Sequence, residues 1–308
     1  MQGDTVFPLL LLGLGVYGGP ALALGRRLQK RALRGGFSGS GALALGGLGL
    51  GLYMRFVEPY WLETTETVLP WAGPDLRVTV LADFHVGRSQ AWIVRRSVEA
   101  ANATHPDVVL LAGDYIAGYE ATPDRLAILR ELRALRAHHG VYAVMGNHDS
   151  EPYVDETPRS DALTNFLTGL GFHVLRNANA RPVPGVTVVG LDEVLAERTD
   201  AARAQAGATP GDVRIVLTHN WRALRARELG PFALAVAGHS HGGQVCVPFT
   251  TICPLVSDTQ PYLRGLYAWP SGGRLFVNRG IGESEALARL GSRPEVSLLR
   301  LVHSPPGR

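Results

Sequence analysis

Short apolar runs alternate with amphipathic stretches in the first half of the chain. The runs at 76–82, 108–112 and 140–144 have the length and composition of buried strands. Between them, Ala91–Ala103 and 123–137 carry apolar residues at helical spacing. Because a strand–helix–strand alternation is typical of βαβ crossovers, the pattern predicts a parallel sheet.

The second half of the chain repeats this arrangement in looser form. It contains a predicted helix at 161–170 and predicted strands at 186–191, 213–218, 233–237, Arg274–Val277 and 295–302. Two sheets that face each other accommodate these strands better than one very wide sheet. We therefore predict a four-layer α/β/β/α sandwich of two facing mixed sheets with outer helices, preceded by an N-terminal membrane segment.

Two uncharged stretches, 7–24 and 37–53, flank a basic segment at 25–34. The first has about the length of a membrane span, and the second is glycine-rich and the weaker candidate. The positive-inside rule places the basic segment in the cytoplasm, so the rest of the chain would lie outside it. A twin-arginine export signal in the basic segment gives the same result, and two buried core helices are the remaining alternative. We divide the chain into a membrane anchor or export region, 1–57, and an extracytoplasmic globular domain at the cell membrane, 58–308.

The distribution of charge argues against a nucleic-acid partner. The formal net charge of +3 comes from 30 basic and 27 acidic residues. Residues 1–57 hold six of the basic residues and one acidic residue, which leaves 24 basic and 26 acidic residues in 58–308. A domain so close to neutral lacks the basic surface that binds a polyanion. A hydrophobic content of 46% allows a sizeable core and argues against a disordered chain.

Five polar motifs follow apolar runs. They are Asp83-Phe84-His85, Gly113-Asp114, Gly146-Asn147-His148-Asp149, Thr218-His219-Asn220 and Gly238-His239-Ser240-His241. Any one of them is equally well explained as a structural turn. Because ligands bind beyond the carboxyl ends of parallel strands, we expect the ordered set to form one site.

The residue types in these motifs are those of a two-metal site. Carboxylates, imidazoles and an amide oxygen suit manganese, iron or zinc, and we expect two divalent metal ions as cofactors. Two cations roughly 3.5–4 Å apart need a bridging carboxylate, and Asp114 follows the central strand of the first three. Alternate residues of an extended segment share a side, so His239 and His241 can serve one cation each.

The ordered set resembles the calcineurin-like metallophosphoesterase superfamily over residues 76–303. Together with Gly242-Gly243-Gln244 and Asn278-Arg279-Gly280, it is similar to the membrane-associated bacterial phosphodiesterases of the YaeI/YkuE-like branch. The resemblance implies a phosphoester hydrolase, foremost a phosphodiesterase, in which a metal-bridging hydroxide attacks phosphorus in line at the outer membrane face. An extracytoplasmic phosphomonoesterase or nucleotidase, and a lipid or nucleotide-sugar pyrophosphate hydrolase, are the alternatives.

The resemblance also implies a role for each motif residue. The implied ligands of the first metal are Asp83, His85, Asp114 and His241, and those of the second are Asp114, Asn147, His219 and His239. His148 would contact the phosphoryl oxygen or protonate the leaving group, and Asp149 would orient His148. Arg279 is a candidate contact to the substrate phosphate, with a structural turn residue as an equal alternative.

Two questions stay open at the level of sequence. Cys246 and Cys253 either pair across a short loop outside the cytoplasm or are small buried hydrophobes. The expected partner is a phosphoester substrate, lipid-linked or wall-linked if the domain is held at the membrane, and the oligomeric state is undetermined.

Overall fold

The computed structural model describes residues 39–89, 91–118, 121–150, 158–248, 250, 252–255, 260–284 and 286–304. The chain divides into two compact units, Met1–Tyr53 and Met54–Arg308. Helix α1, Gly39–Phe56, crosses the boundary between these units.

The predicted membrane segment is only partly covered by the described residues. Helix α1 includes most of the second apolar stretch, 37–53, and its sequence is rich in glycine. No helix in the described part of the chain is both long and apolar enough to cross a membrane. The first stretch, 7–24, and the basic segment lie outside the described residues.

The first sheet has the strand order β1-β12-β2-β3-β4-β5. Its strands are β1 Glu63–Trp71, β2 Leu76–Leu81, β3 Val108–Leu111, β4 Val141–Ala143, β5 His173–Val174 and β12 Glu295–His303. Strands β2 to β5 are mutually parallel, whereas β12 is antiparallel to β2 and parallel to β1. The predicted parallel crossovers are therefore present, and β12 makes the sheet mixed.

The second sheet has the strand order β10-β11-β9-β8-β7-β6. Its strands are β6 Ala178–Val183, β7 Val186–Gly190, β8 Val213–Leu217, β9 Leu234–Ala237, β10 Gly265–Ala268 and β11 Arg274–Val277. The four central strands are parallel, and an antiparallel strand closes each edge. The sequence did not indicate β5, β6 and β10, because short or half-exposed strands carry little apolar signal.

The hydrophobic core shows that the two sheets face each other. One buried cluster joins residues of the first sheet, such as Val80 and Leu110, to residues of the second, such as Val188 and Leu217. The helices of the first half are α2 Ala91–Ala103, α3 Pro123–Leu129 and α4 Pro158–Gly169. They pack on the other face of the first sheet, and the short helix α5, Ala201–Gln205, packs on the other face of the second. The two facing mixed sheets agree with the prediction.

The predicted helix at 123–137 is shorter than expected. It ends at Leu129 and continues as a 3₁₀ turn over Arg130–Ala134. Leu129, Leu132 and Leu135 are nevertheless buried against the sheet, as their spacing predicts. The turn keeps this apolar stripe on one side while it tightens the end of the helix.

Candidate metal centre

The five polar motifs lie in the loops that follow five parallel strands. Asp83 and Asp114 follow β2 and β3, and Asn147 follows β4. In the facing sheet, His219 follows β8 and His239 follows β9. The carboxyl ends of both sets of strands meet at one edge of the sandwich. The structure therefore brings the predicted ligand residues together.

The first group of ligand atoms comes from Asp83, His85 and His241, whose ligand atoms lie within 4.8 Å of one another. The Nε2 atoms of His85 and His241 are 3.0 Å apart. Nε2 of His241 is 3.7 Å from Oδ1 of Asp83. Two imidazole nitrogens and a carboxylate that converge in this way form one side of a cation site.

The second group comes from Asp114, His219 and His239, again within 4.8 Å. Nδ1 of His219 donates to the carbonyl of Ala112 at 2.7 Å, so that Nε2 is the nitrogen turned toward the other ligands. This Nε2 lies 3.1 Å from Nδ1 of His239 and 3.0 Å from Oδ1 of Asn147. His239 and His241 thus belong to different groups, which is the predicted division.

Asp114 lies between the two groups. Its Oδ2 is 3.3 Å from Nε2 of His85 and 3.3 Å from Nε2 of His219. A carboxylate in this position can bridge two cations. His85, Asp114 and His148 form a third group within 4.8 Å, so His148 stands over the centre of the site.

The site residues fall into a buried set and a partly exposed set. Asp83, His85, Asp114, His219 and His241 are almost completely buried. Asn147, His148 and His239 are half-buried. The accessible side of the site is therefore formed by these three side chains.

Comparison with known proteins decides the family. A model of the family described as calcineurin-like phosphoesterase matches residues 76–243. The chain belongs to this family. It is 30% identical over 264 residues to Phosphodiesterase YaeI of Escherichia coli (strain K12), a match that covers 81% of this chain and 92% of the relative.

Two other bacterial relatives match over most of their length. The chain is 26% identical over 291 residues to the uncharacterized metallophosphoesterase YkuE of Bacillus subtilis (strain 168), covering 90% of this chain and 98% of the relative. It is 26% identical over 313 residues to UDP-2,3-diacylglucosamine pyrophosphatase LpxG of Chlamydia trachomatis serovar D, covering 82% of this chain and 93% of the relative. These relatives agree with the branch that the motifs resemble.

The buried charges of this phosphoesterase fit a site built for cations. Burial raises the pKa of Asp83 to about 6 against the opposing charge of His219. Burial also raises the pKa of Glu193 to about 7, and burial together with the charge of Asp114 raises that of Asp149 to about 8. Burial is the largest cause of each of these shifts, so the three carboxyl groups are buried acids that are costly to ionise. Divalent cations would supply positive charge to this site.

The imidazoles of the phosphoesterase site differ in charge. Burial opposes the charge of His219, but Asp114 raises the pKa of His219 well above its ordinary value. Burial, assisted by the charge of His219, lowers the pKa of His239 to about 3. Burial, assisted by His85, likewise lowers the pKa of His241. His239 and His241 are therefore neutral at pH 7, the state in which an imidazole binds a metal.

Five of the predicted ligands have a left-handed backbone. Their φ angles run from 44° for His85 to 70° for His239. The other three are Asp83, Asp114 and His241. Non-glycine residues seldom adopt this conformation, and where they cluster the strain marks a functional site. The amino-acid sequence alone carries no signal for it.

Asp149 accepts hydrogen bonds from backbone N–H groups of two ligand loops. Its Oδ2 accepts hydrogen bonds from the backbone N–H groups of Asp114, at 2.7 Å, and Gly146, at 2.9 Å. Its Oδ1 accepts from those of Tyr115, at 2.9 Å, and Ile116, at 3.3 Å. The carboxylate therefore joins the loop of Asp114 to the loop of Asn147 and His148. Asp149 is a positioning residue that acts on the backbone.

Arg279 does not have the surroundings of a substrate contact. Its Nη2 donates to Glu63 at 2.8 Å, and its Nε lies 3.2 Å from Oε2 of Glu295. Two carboxylates therefore neutralise the guanidinium. The structural alternative describes this residue better than the predicted contact with phosphate.

Cys246 and Cys253 form a disulfide bond, which decides between the two alternatives for these residues. The Sγ atom of Cys246 lies 3.6 Å from the carbonyl oxygen of Gly242. Gly242 belongs to the short turn His241–Gly243. The disulfide thus contacts the turn that contains His241.

Proposed function

We propose that this phosphoesterase is a dinuclear-metal-dependent phosphodiesterase. The observation that carries the proposal is the pair of ligand groups on either side of Asp114. The donor atoms of each group lie within 4.8 Å of one another, and Oδ2 of Asp114 is 3.3 Å from a histidine of each group. Two divalent cations in such a site would polarise the phosphoryl group and supply a nucleophilic water at neutral pH. The mixed oxygen and nitrogen donors suit manganese, iron or zinc alike.

The partly exposed side chains of the site then act on the substrate. His148 is half-buried, and its ring centroid lies 4.8 Å from that of His85, at an interplanar angle of 77°. From this position its imidazole can donate a proton to the leaving oxygen. Asn147 offers a neutral oxygen, so the second ligand group carries less negative charge than a carboxylate would give it. Both features favour the approach of an anionic phosphoester.

A specific observation favours a second candidate. LpxG, which matches 82% of this chain, is named as a UDP-2,3-diacylglucosamine pyrophosphatase, whereas YaeI is named as a phosphodiesterase. Cleavage of a lipid-linked nucleotide pyrophosphate is therefore our second proposal. The same ligands and the same proton donor serve both reactions, since each reaction displaces an oxygen from phosphorus.

The experiment that tests this function compares three substrates. The full chain, loaded with Mn²⁺, is assayed on bis(p-nitrophenyl) phosphate, p-nitrophenyl phosphate and a UDP-linked lipid pyrophosphate. We expect the diester or the pyrophosphate to have the highest kcat/KM. Preference for the monoester would refute the proposal in favour of a phosphomonoesterase.

His148→Ala tests the proton donor. We expect kcat to fall about 10²- to 10⁴-fold with a poor leaving group, while the chain still binds its metal ions. The matched control is the activated leaving group p-nitrophenolate, which needs less protonation and should lose less rate. Equal losses with both leaving groups, or loss of the metals, would contradict this role.

We also propose that the catalytic domain acts at the outer face of the cell membrane. The support is the apolar stretch 7–24 beside the basic segment 25–34 in the sequence. Fractionation of cells that express the full chain should recover the phosphoesterase with the membranes, accessible to protease added outside the cytoplasmic membrane. Recovery in the cytoplasmic fraction would refute this location.

A further inference from the structure

Arg289 is a completely buried arginine behind the metal centre. Its Nη1 donates to the carbonyls of Ser292, at 2.7 Å, and Arg279, at 3.1 Å. Its Nη2 donates to the carbonyls of Arg279, Gly280 and Gly282. One guanidinium therefore fixes four backbone carbonyls, an arrangement that the single nitrogen of a lysine cannot reproduce.

Three of these carbonyls belong to segment 279–282, which packs on Asp83. The N–H of Gly282 donates to the carbonyl of Asp83 at 2.6 Å, and that of Ile281 donates to Ala82 at 3.0 Å. A Cβ atom on Gly280 would lie 2.7 Å from Cβ of Asp83 and 2.9 Å from its Oδ2. The segment therefore closes around both the backbone and the carboxylate of Asp83.

The fourth carbonyl belongs to Ser292, which contacts His241. The hydroxyl of Ser292 donates to the carbonyl oxygen of His241 at 2.7 Å. The N–H of Ser292 donates to the buried carboxylate of Glu58 at 2.7 Å. Through Ser292, the same guanidinium is connected to the backbone of a second ligand of the first group.

We propose that Arg289 is a positioning residue for the first metal, because it holds Asp83 through segment 279–282 and His241 through Ser292. The inference rests on the two-metal function proposed above. The guanidinium reaches no ligand of the second group through these hydrogen bonds. Its loss should therefore weaken one metal-binding step more than the other.

Burial disfavours the charged form of the Arg289 guanidinium. Burial lowers the pKa of Arg289 to about 10, and the charges of Glu283 and Asp83 oppose that shift. Among the described residues, the hydrogen bonds of this guanidinium are to neutral backbone carbonyls, so they fix backbone geometry and do not form a salt bridge. The guanidinium maintains the geometry of the two segments that it joins, 279–282 and the segment of Ser292.

The test measures Mn²⁺ binding to the full chain by calorimetry and by metal analysis after dialysis. The wild-type chain should bind two ions. In Arg289→Lys, one binding step should weaken by about 10- to 100-fold, the usual effect of removing an outer partner of a ligand, while the other changes little. A variant that binds both ions as the wild type does would overturn the inference. A wild-type chain that binds no divalent cation would refute the two-metal function and the inference with it.

Two controls separate positioning from general destabilisation. Leu132→Ala removes a buried side chain from the helical layer that packs on the outer face of the first sheet. It should lower the melting temperature but leave both binding steps intact. Asn147→Ala should weaken the other binding step, so the double variant with Arg289→Lys should lose both. If Leu132→Ala weakens Mn²⁺ binding as much as Arg289→Lys does, the inference is wrong. The inference is also wrong if the double variant binds Mn²⁺ as tightly as Asn147→Ala does.

Two milder variants keep the test valid if Arg289→Lys does not fold. Ser292→Ala removes the hydroxyl that bonds the His241 carbonyl, and we expect the first site to weaken by about 5-fold, as for one hydrogen bond. Gly280→Ala places a methyl group against the Asp83 carboxylate and should weaken the same step. Unchanged Mn²⁺ binding in both variants would overturn the inference.

Discussion

Gly146 lies where the loops of two predicted ligands touch. It immediately precedes Asn147, and its N–H donates to Asp149 at 2.9 Å. A Cβ atom at this position would lie 2.1 Å from Oδ1 of Asp114 and 2.5 Å from the Asp114 backbone nitrogen. Gly146→Ala therefore adds one carbon atom against the carboxylate that lies between the two ligand groups.

The size of the effect follows from these distances. A carbon and an oxygen in ordinary contact are about 3.3 Å apart, so the carboxylate or the loop of Asn147 must move by about 1 Å. A misplacement of that size costs roughly 100-fold in rate when it affects groups that position a substrate. Because Oδ2 of Asp114 lies 3.3 Å from a histidine of each ligand group, we also expect the variant to retain less than its full complement of metal.

The assay measures kcat/KM on bis(p-nitrophenyl) phosphate together with the Mn²⁺ content after dialysis. Gly169→Ala is the matched control, since a Cβ atom there would meet no other atom within 4 Å. It should retain wild-type kcat/KM and metal content. The reasoning fails if Gly146→Ala keeps two ions and a kcat/KM within about threefold of the wild type. It also fails if Gly169→Ala loses as much kcat/KM and Mn²⁺ as Gly146→Ala does.

Three further outcomes are expected. Arg279→Gln should leave KM unchanged but cost about 1–3 kcal/mol in urea unfolding, because the guanidinium bonds carboxylates and not substrate. Replacing Cys246 and Cys253 by serine should cost about 2.5 kcal/mol by loop closure and weaken Mn²⁺ binding, and full metal affinity in this variant would contradict the link to the His241 turn. Because burial raises the pKa of Asp149 to about 8, the folded metal-free chain retains a proton that the unfolded chain has lost. Its stability should therefore fall by about 2 kcal/mol between about pH 6.5 and 8, and an equal fall in Asp149→Asn would refute the assignment.

The sequence predicted the ligand loops because they depend on local pattern. A short apolar run followed by Asp, Asn or His marks the carboxyl end of a strand, and parallel strands bring such ends to one edge. Asp83, Asp114 and His219 could be located by this reasoning alone. The contacts of Asp149 and Arg279 could not be predicted, because they depend on which backbone groups or carboxylates the fold brings within reach. Arg289 gave no signal at all, since an arginine is usually exposed and nothing in its neighbourhood predicts burial.

Asp149, Arg289 and Ser292, whose contacts the sequence did not predict, all form hydrogen bonds with the backbone of the ligand loops or of the segments packed on them. Five ligands with positive φ store about 1 kcal/mol or more each, a sum comparable to the net stability of a typical domain. Such strained loops persist only if other contacts fix their backbones. Asp149 accepts four hydrogen bonds from backbone N–H groups around Asp114 and Asn147. Arg289 and Ser292 fix the backbone around Asp83 and His241. We therefore expect the positions with buried polar side chains that bond ligand-loop backbone to tolerate substitution as poorly as the ligands themselves, although none of these side chains is a predicted metal ligand.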